Sequence, residues 1–172
     1  MSSGTVYLRP SRLVYVRATG PYENSVLRAW ERLLGWLDKH GLQSPIGRGY
    51  GMMRDNPNVT APENCRYDAC VDLHPFFEER AIRELSAQTL PGGAYVRMRK
   101  TGAYEALRED ILGFYKGFEA ANGLRFDQRR PLITIYLDEP RRFRADDLRA
   151  DICVPVSSCP TRISDDDGRA AA

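Results

Sequence analysis

Thr19-Gly20-Pro21-Tyr22-Glu23 returns as Thr101-Gly102-Ala103-Tyr104-Glu105, 82 residues later, and this echo decides how the chain is built. Working outward, Gly41-Leu42 returns as Gly123-Leu124 at the same offset. Asp55-Asn56-Pro57 returns as Asp138-Glu139-Pro140, and Arg66-Tyr67-Asp68-Ala69-Cys70-Val71 as Arg149-Ala150-Asp151-Ile152-Cys153-Val154, both at 83. Anchors spread along both halves with so little slippage predict a duplicated unit of about 80 residues. Two copies are too few for a solenoid, which needs about three or more. They are expected to close about a pseudo-twofold axis and leave a cleft between the halves.

Within the first unit, Val6-Tyr7-Leu8 and Leu13-Val14-Tyr15-Val16 are short β-type runs broken at Arg9-Pro10-Ser11, which predicts two strands joined by a tight turn. Pro21 suits the first turn of a helix. Tyr22, Val26, Trp30, Leu33 and Leu37 follow at helical spacing, and Gly41 stops the helix. Met52-Met53 and Asp68 to Leu73 supply two more strands. The second unit reads likewise: a strand over 82–90, a turn at Pro91-Gly92-Gly93, and a strand from Tyr95 to Arg99. A helix is expected from Ala103 to Ala121, ended by Asn122-Gly123, with strands over 132–137 and 151–156. The fold class is therefore α+β: duplicated βαββ units forming one antiparallel sheet with two main helices on one face.

At 172 residues the chain fits one domain, taken as 1–156, with repeat one about 5–73 and repeat two about 82–156. The segment 157–172, with Asp165-Asp166-Asp167 and three final alanines, reads as a disordered tail. A net charge of +2 gives no argument for nucleic acid, and no apolar run approaches a membrane span. Seven arginines between Arg125 and Arg149 are interleaved with acids and read as a solvated face. Cys65, Cys70, Cys153 and Cys159 lack CxxC spacing, and the only histidines are His40 and His74. Neither a metal nor a cofactor is expected, and free thiols fit a reducing cytoplasm.

Several of these stretches together resemble the GyrI-like small-molecule-binding family. They are Gly20-Pro21-Tyr22 opening a Trp-containing helix, Asp55-Asn56-Pro57, Pro62-Glu63 with Arg66 and Asp68, Gly92-Gly93 with Tyr95, and Asp151-Ile152-Cys153-Val154-Pro155-Val156. That family includes the bacterial DNA gyrase inhibitory protein and the effector-binding domains of AraC- and MerR-type multidrug-responsive regulators. The resemblance implies a ligand cleft between the halves. It also implies an acidic residue in the final strand that meets a bulky hydrophobic cation among aromatics. That position is Asp151 here, an Asp where the family usually carries Glu.

The candidate ligand-binding residues are thus Asp151, Cys153 beside it on the same strand face, and Asp68, the counterpart of Asp151 in the first unit. Tyr136, Tyr115, Phe118, Trp30 and Trp36 are candidates for stacking walls. For Asp151 the alternatives are solvent exposure, pairing with Arg149 or Arg99, or a ligand. For the aromatics the alternative is plain core. The main pocket is expected between the helices that start near Pro21 and Ala103. No Ser-His-Asp set is legible, so no catalytic residue is assigned. The leading expectation is a protein that sequesters or senses hydrophobic small molecules, cations among them. One alternative is a DNA gyrase inhibitor acting by protein contact. The other is a hydrolase of electrophilic cyclopropanoid compounds, with Asp151 as acid or base and Tyr136 or Tyr115 as helper. Direct contact with nucleic acid or membrane is not expected.

Overall fold

Alternating burial builds the strands and a 3.6-residue period builds the helices. The computed structural model describes residues 3–42, 48–118 and 124–158. In chain order these form β1 Ser3–Leu8, β2 Arg12–Thr19, α1 Tyr22–Lys39, β3 Gly49–Met53, β4 Arg66–Asp72 and α2 Glu78–Glu84. There follow β5 Ser86–Thr89, β6 Gly93–Thr101, α3 Leu107–Lys116, β7 Leu124–Phe126, β8 Leu132–Tyr136 and β9 Arg149–Ser158. The strands pair antiparallel in the order β1-β6-β9-β8-β3-β4-β2-β5, with β7 added to β9. The α+β architecture, with one large antiparallel sheet and the helices on one face, is therefore present.

The sheet order is symmetric in the repeat. β2, β4 and β3 on one side of the centre answer to β6, β9 and β8 on the other, and β3 pairs with β8 at the seam. The expected hairpin between the first two strands is not formed. β1 pairs with β6 (Val6 opposite Tyr95), and β5 pairs with β2 (Val14 opposite Ala87). Each unit thus lends its leading strand to the other. The strand expected over 82–90 is also corrected: residues 78–84 are helical, and only 86–89 are extended. Ala81 is the one buried residue of that short helix. Strand β9 runs on to Ser158, so the expected tail does not begin at Ser157. The second helix, expected over 103–121, is also corrected: a 3-10 turn over Tyr104–Ala106 leads into α3, which ends at Lys116, where Gly117 turns extended. Residues 159–172 and 119–123 lie outside the described residues.

Two apolar layers sandwich the sheet. On the helix side, Tyr22, Ala29, Leu33 and Leu37 of α1 and Leu107 and Ile111 of α3 pack on Val14, Val16, Tyr67, Ala69, Val71, Leu132, Ile152 and Val154. On the far side, Leu13, Tyr50, Met52, Cys70, Tyr95, Ile133, Ile135 and Cys153 form a smaller core. A strand turns successive side chains to opposite faces, so Asp68 and Asp151 belong to the far side.

Repeated sequence anchors make repeated hydrogen bonds. Gly20 and Gly102 have φ of 133° and 132°, a region that favours glycine. Their N–H groups bond the carbonyls of Cys65 and Leu148 at 2.9 and 2.8 Å. The Tyr22 hydroxyl donates to the Asp55 carbonyl at 2.8 Å and accepts from the Asp55 N–H at 3.2 Å. Tyr104 does the same with Asp138 at 2.8 and 3.1 Å. Asp55 then receives the backbone and guanidinium N–H groups of Arg66, as Asp138 receives those of Arg149. The Gly-x-Tyr, Asp-x-Pro and Arg anchors are therefore a staple that ties each helix start to its strands.

Candidate functional site

β3 and β8 pair where the halves meet. In β3, Gly49 and Gly51 face the helix side and carry no side chain. A Cβ on Gly49 would stand 2.7 Å from the Trp30 ring, and one on Gly51 would stand 2.1 Å from the Tyr67 hydroxyl. The glycines are a floor on which rings lie. Trp30 comes from α1, Tyr67 from β4, Tyr104 from the turn before α3, and Tyr136 from β8, so both repeats contribute.

The rings lock one another in place. Trp30 meets Tyr136 edge-on at 5.2 Å between centroids, and Tyr104 meets Tyr136 at 4.8 Å. The Trp30 indole N–H donates to the Tyr67 hydroxyl at 2.9 Å, which lies 3.3 Å from the Tyr136 hydroxyl. Burial pushes the Tyr67 phenol well above its usual range, and burial also raises Tyr136 and Tyr104. All three are therefore neutral hydrogen-bonding phenols at physiological pH. Tyr67 is interior, 2% exposed, while the partly exposed rings of Trp30, Tyr104 and Tyr136 offer edges and faces for stacking.

The eight residues singled out in the sequence fall into separate places. Trp30 and Tyr136 meet at the seam. Tyr115 and Phe118 lie further along the helix side, around Phe126 at 5.3 and 6.2 Å. Trp36 stands at the far end of α1, donating to Glu84 at 2.7 Å and packing on His40. Asp151, Cys153 and Asp68 lie across the sheet from all of these rings. Asp151 and the two tyrosines named with it as helpers are thus not brought together. Sequence reasoning missed Gly49 and Gly51, and their alternation in a strand was the available signal of close approach.

Both far-side acids are paired. Asp68 accepts from Arg17 at 2.6 and 2.9 Å, from Arg54 at 2.8 Å and from Gln88 of the exchanged β5 at 3.2 Å. Burial alone would raise its pKa, but the hydrogen bonds from Arg17 and Arg54 outweigh that and hold it below the usual range. Asp151, 4% exposed, is gripped by the Arg99 fork through both oxygens. Arg149 is not its partner, being committed to Asp138. Beside these carboxylates, burial lifts the Cys153 thiol to about 12 and raises Cys70 further, so neither is a nucleophile. Among the described residues, no three His, Cys, Asp or Glu side chains are grouped to hold a metal ion.

Neither depression described on the surface is the one expected between the helices. One, of about 470 Å³, is lined by Pro21, Asn24, Leu27 and Arg28, all from the first repeat. The other, of about 220 Å³, is on the far side and includes Arg97, Arg99 and Asp151. The seam is instead filled by its own rings.

The site is thus an aromatic cluster at the β3–β8 seam of one α+β sheet. The chain belongs to the GyrI-like family: residues 1–157 match its GyrI-like small molecule binding domain. It is 33% identical over 86 residues to a DNA gyrase inhibitor of Serratia proteamaculans, a match spanning 49% of this chain and 54% of that protein. With the DNA gyrase inhibitor of Cronobacter sakazakii it shares 28% identity over 142 residues, 81% of this chain and 86% of the relative. The structure of SAV2435 bound to tetraphenylphosphonium overlays with a TM-score of 0.62, at 14% identity, over 91% of this chain and 94% of the other. The fold is thus shared where the sequence has diverged. No described helix is long and apolar enough to cross a membrane.

Proposed function

We propose that the protein sequesters or senses hydrophobic small molecules, cations among them, by stacking them on the rings at the β3–β8 seam. The observation that carries this reading is the cluster of Trp30, Tyr67, Tyr104 and Tyr136 on a glycine floor, with both repeats contributing. Electron-rich ring faces attract organic cations. Glu105, next to Tyr104, adds negative charge felt by Tyr136. The tetraphenylphosphonium held by a structural neighbour supports the same ligand class. A reducing cytoplasm suits the three described cysteines, all of which are free.

The test uses the two tryptophans of the chain. Trp36→Phe leaves Trp30 as the only indole, and its fluorescence is titrated with tetraphenylphosphonium and with neutral triphenylmethane dyes. Saturable quenching is expected, weakened roughly tenfold or more in Tyr136→Ala, since a ring contact contributes about 0.5–1.5 kcal/mol beyond burial. Absence of saturable quenching by either compound would sink the reading. A second reading, inhibition of DNA gyrase by contact, is favoured by the names of the relatives. A supercoiling assay with the purified protein, run with and without tetraphenylphosphonium, decides it.

A further inference from the structure

Across the sheet from the aromatic seam lies the depression of about 220 Å³, and its chemistry is the reverse of a cation site. Its apolar lining is Ile135 of β8, Leu137 just after it, and Val6, Tyr7 and Leu8 of β1. Its charged lining holds three guanidiniums, Arg48, Arg97 and Arg99, against the single carboxylate of Asp151. That carboxylate is already claimed by Arg99 through both oxygens. Arg48 neighbours Tyr50 and Asp72 and is partly engaged there. Arg97 is different. Its Nη1 makes a long ion pair with Asp151 Oδ2 at 4.0 Å, and its guanidinium, on a side chain 47% exposed, makes no hydrogen bond among the described residues. A guanidinium fork held only by that long ion pair, with its hydrogen-bond donors open, and set beside apolar side chains, suits a planar oxyanion with a compact apolar body. The volume is below the roughly 300–1,000 Å³ of pockets for drug-sized ligands, so the body must be small.

We propose that this depression is a second ligand site, which binds a small monocarboxylate: the carboxylate on Arg97, the apolar body on Ile135 and Leu137. Asp151 serves it as a structural anchor that holds Arg99 in place beside the incoming anion. A cation entering here meets two guanidiniums more than carboxylates and is rejected. The proposal does not depend on the aromatic seam, because the two sites are on opposite faces of the sheet.

Benzoate is the probe, titrated at fixed ionic strength and followed by the methyl NMR signals of the isoleucines. The expected result is a saturable shift of Ile135, with benzamide, the neutral isostere, binding at least roughly tenfold more weakly. Arg97→Gln should weaken benzoate by a similar factor, and Arg97→Lys, which keeps the charge but loses the fork, should weaken it less. Arg129→Gln removes the same charge from an exposed arginine elsewhere and should leave benzoate binding unchanged. Equal binding of benzoate and benzamide overturns the proposal, as does an Arg97→Gln chain that binds benzoate as well as the parent. Inorganic phosphate displacing benzoate at equal concentration would show that charge alone is read, and would overturn the apolar part of the site.

Discussion

Ser25 sits on the innermost stripe of α1, fully buried, with a hydroxyl that has no hydrogen-bond partner among the described residues. A buried hydroxyl without a partner costs roughly 1–3 kcal/mol of lost hydration. Alanine fills nearly the same space and is a better helix former. Ser25→Ala is therefore expected to raise stability by about 1 kcal/mol, read as a higher urea midpoint at unchanged slope. A lower midpoint would mean that the hydroxyl has a partner after all. At the same scale, the glycines of β3 show what a sequence conceals. Gly-Tyr-Gly-Met-Met reads as a weak strand, yet its bare positions are what let Trp30 and Tyr67 lie against the backbone. The rings were legible as aromatic. Which face each one occupies was not, because that depends on a register set by neighbouring strands.

At the scale of elements, the staples at the two helix starts make unequal demands. Tyr22 is 4% exposed and anchors an eighteen-residue helix, whereas Tyr104 is half-buried and opens the helical turn that leads into the ten-residue α3. Each hydroxyl both donates to and accepts from the backbone, so its loss leaves two backbone groups unpaired. Tyr22→Phe should cost about 2 kcal/mol and Tyr104→Phe about 1, because water can reach the second site. Chemical denaturation of both variants checks the order, and a larger loss for Tyr104→Phe would contradict it. The main helices and most of the strands were readable from periodicity, since each has its own pattern of burial. Partner choice among strands was not readable. Two runs separated by Arg9-Pro10-Ser11 satisfy a hairpin pattern equally well whether they pair with each other or with distant strands. The segment 78–84 misled for a related reason: Ile82 is half exposed, so its β-branched character carried no information about the local period.

For the whole molecule, acid is the natural stress. Hydrogen bonds from Arg66 hold Asp55 below the usual carboxylate range, those from Arg149 do so for Asp138, and arginines do so for Asp68 against the effect of burial. A carboxyl with a lower pKa when folded contributes stability that is complete above its unfolded value, about 3.9, and is lost as pH falls through its folded value. Asp72, raised by burial, works in the opposite sense. With Asp127, held low by hydrogen bonds from Arg130 and Arg129 against the effect of burial, four lowered groups against one raised predict a melting temperature that is flat from neutral pH to about 5 and falls below about pH 4. Asp138→Asn should lower the neutral plateau and shallow the fall. A melting temperature that climbs on acidification to pH 3 would mean that Asp72 governs instead.

The exchange of leading strands also sets an order of events during synthesis. β1 leaves the ribosome well before its partner β6, encoded roughly 90 residues later, which at about 5–20 residues per second is a wait of roughly 5–20 seconds. Meanwhile β2, made immediately after it, offers the nascent chain an adjacent but non-native edge. This early strand is thus among the last of the described strands to reach its place. The pause leaves a window in which mispairing of the two neighbours competes with the native order.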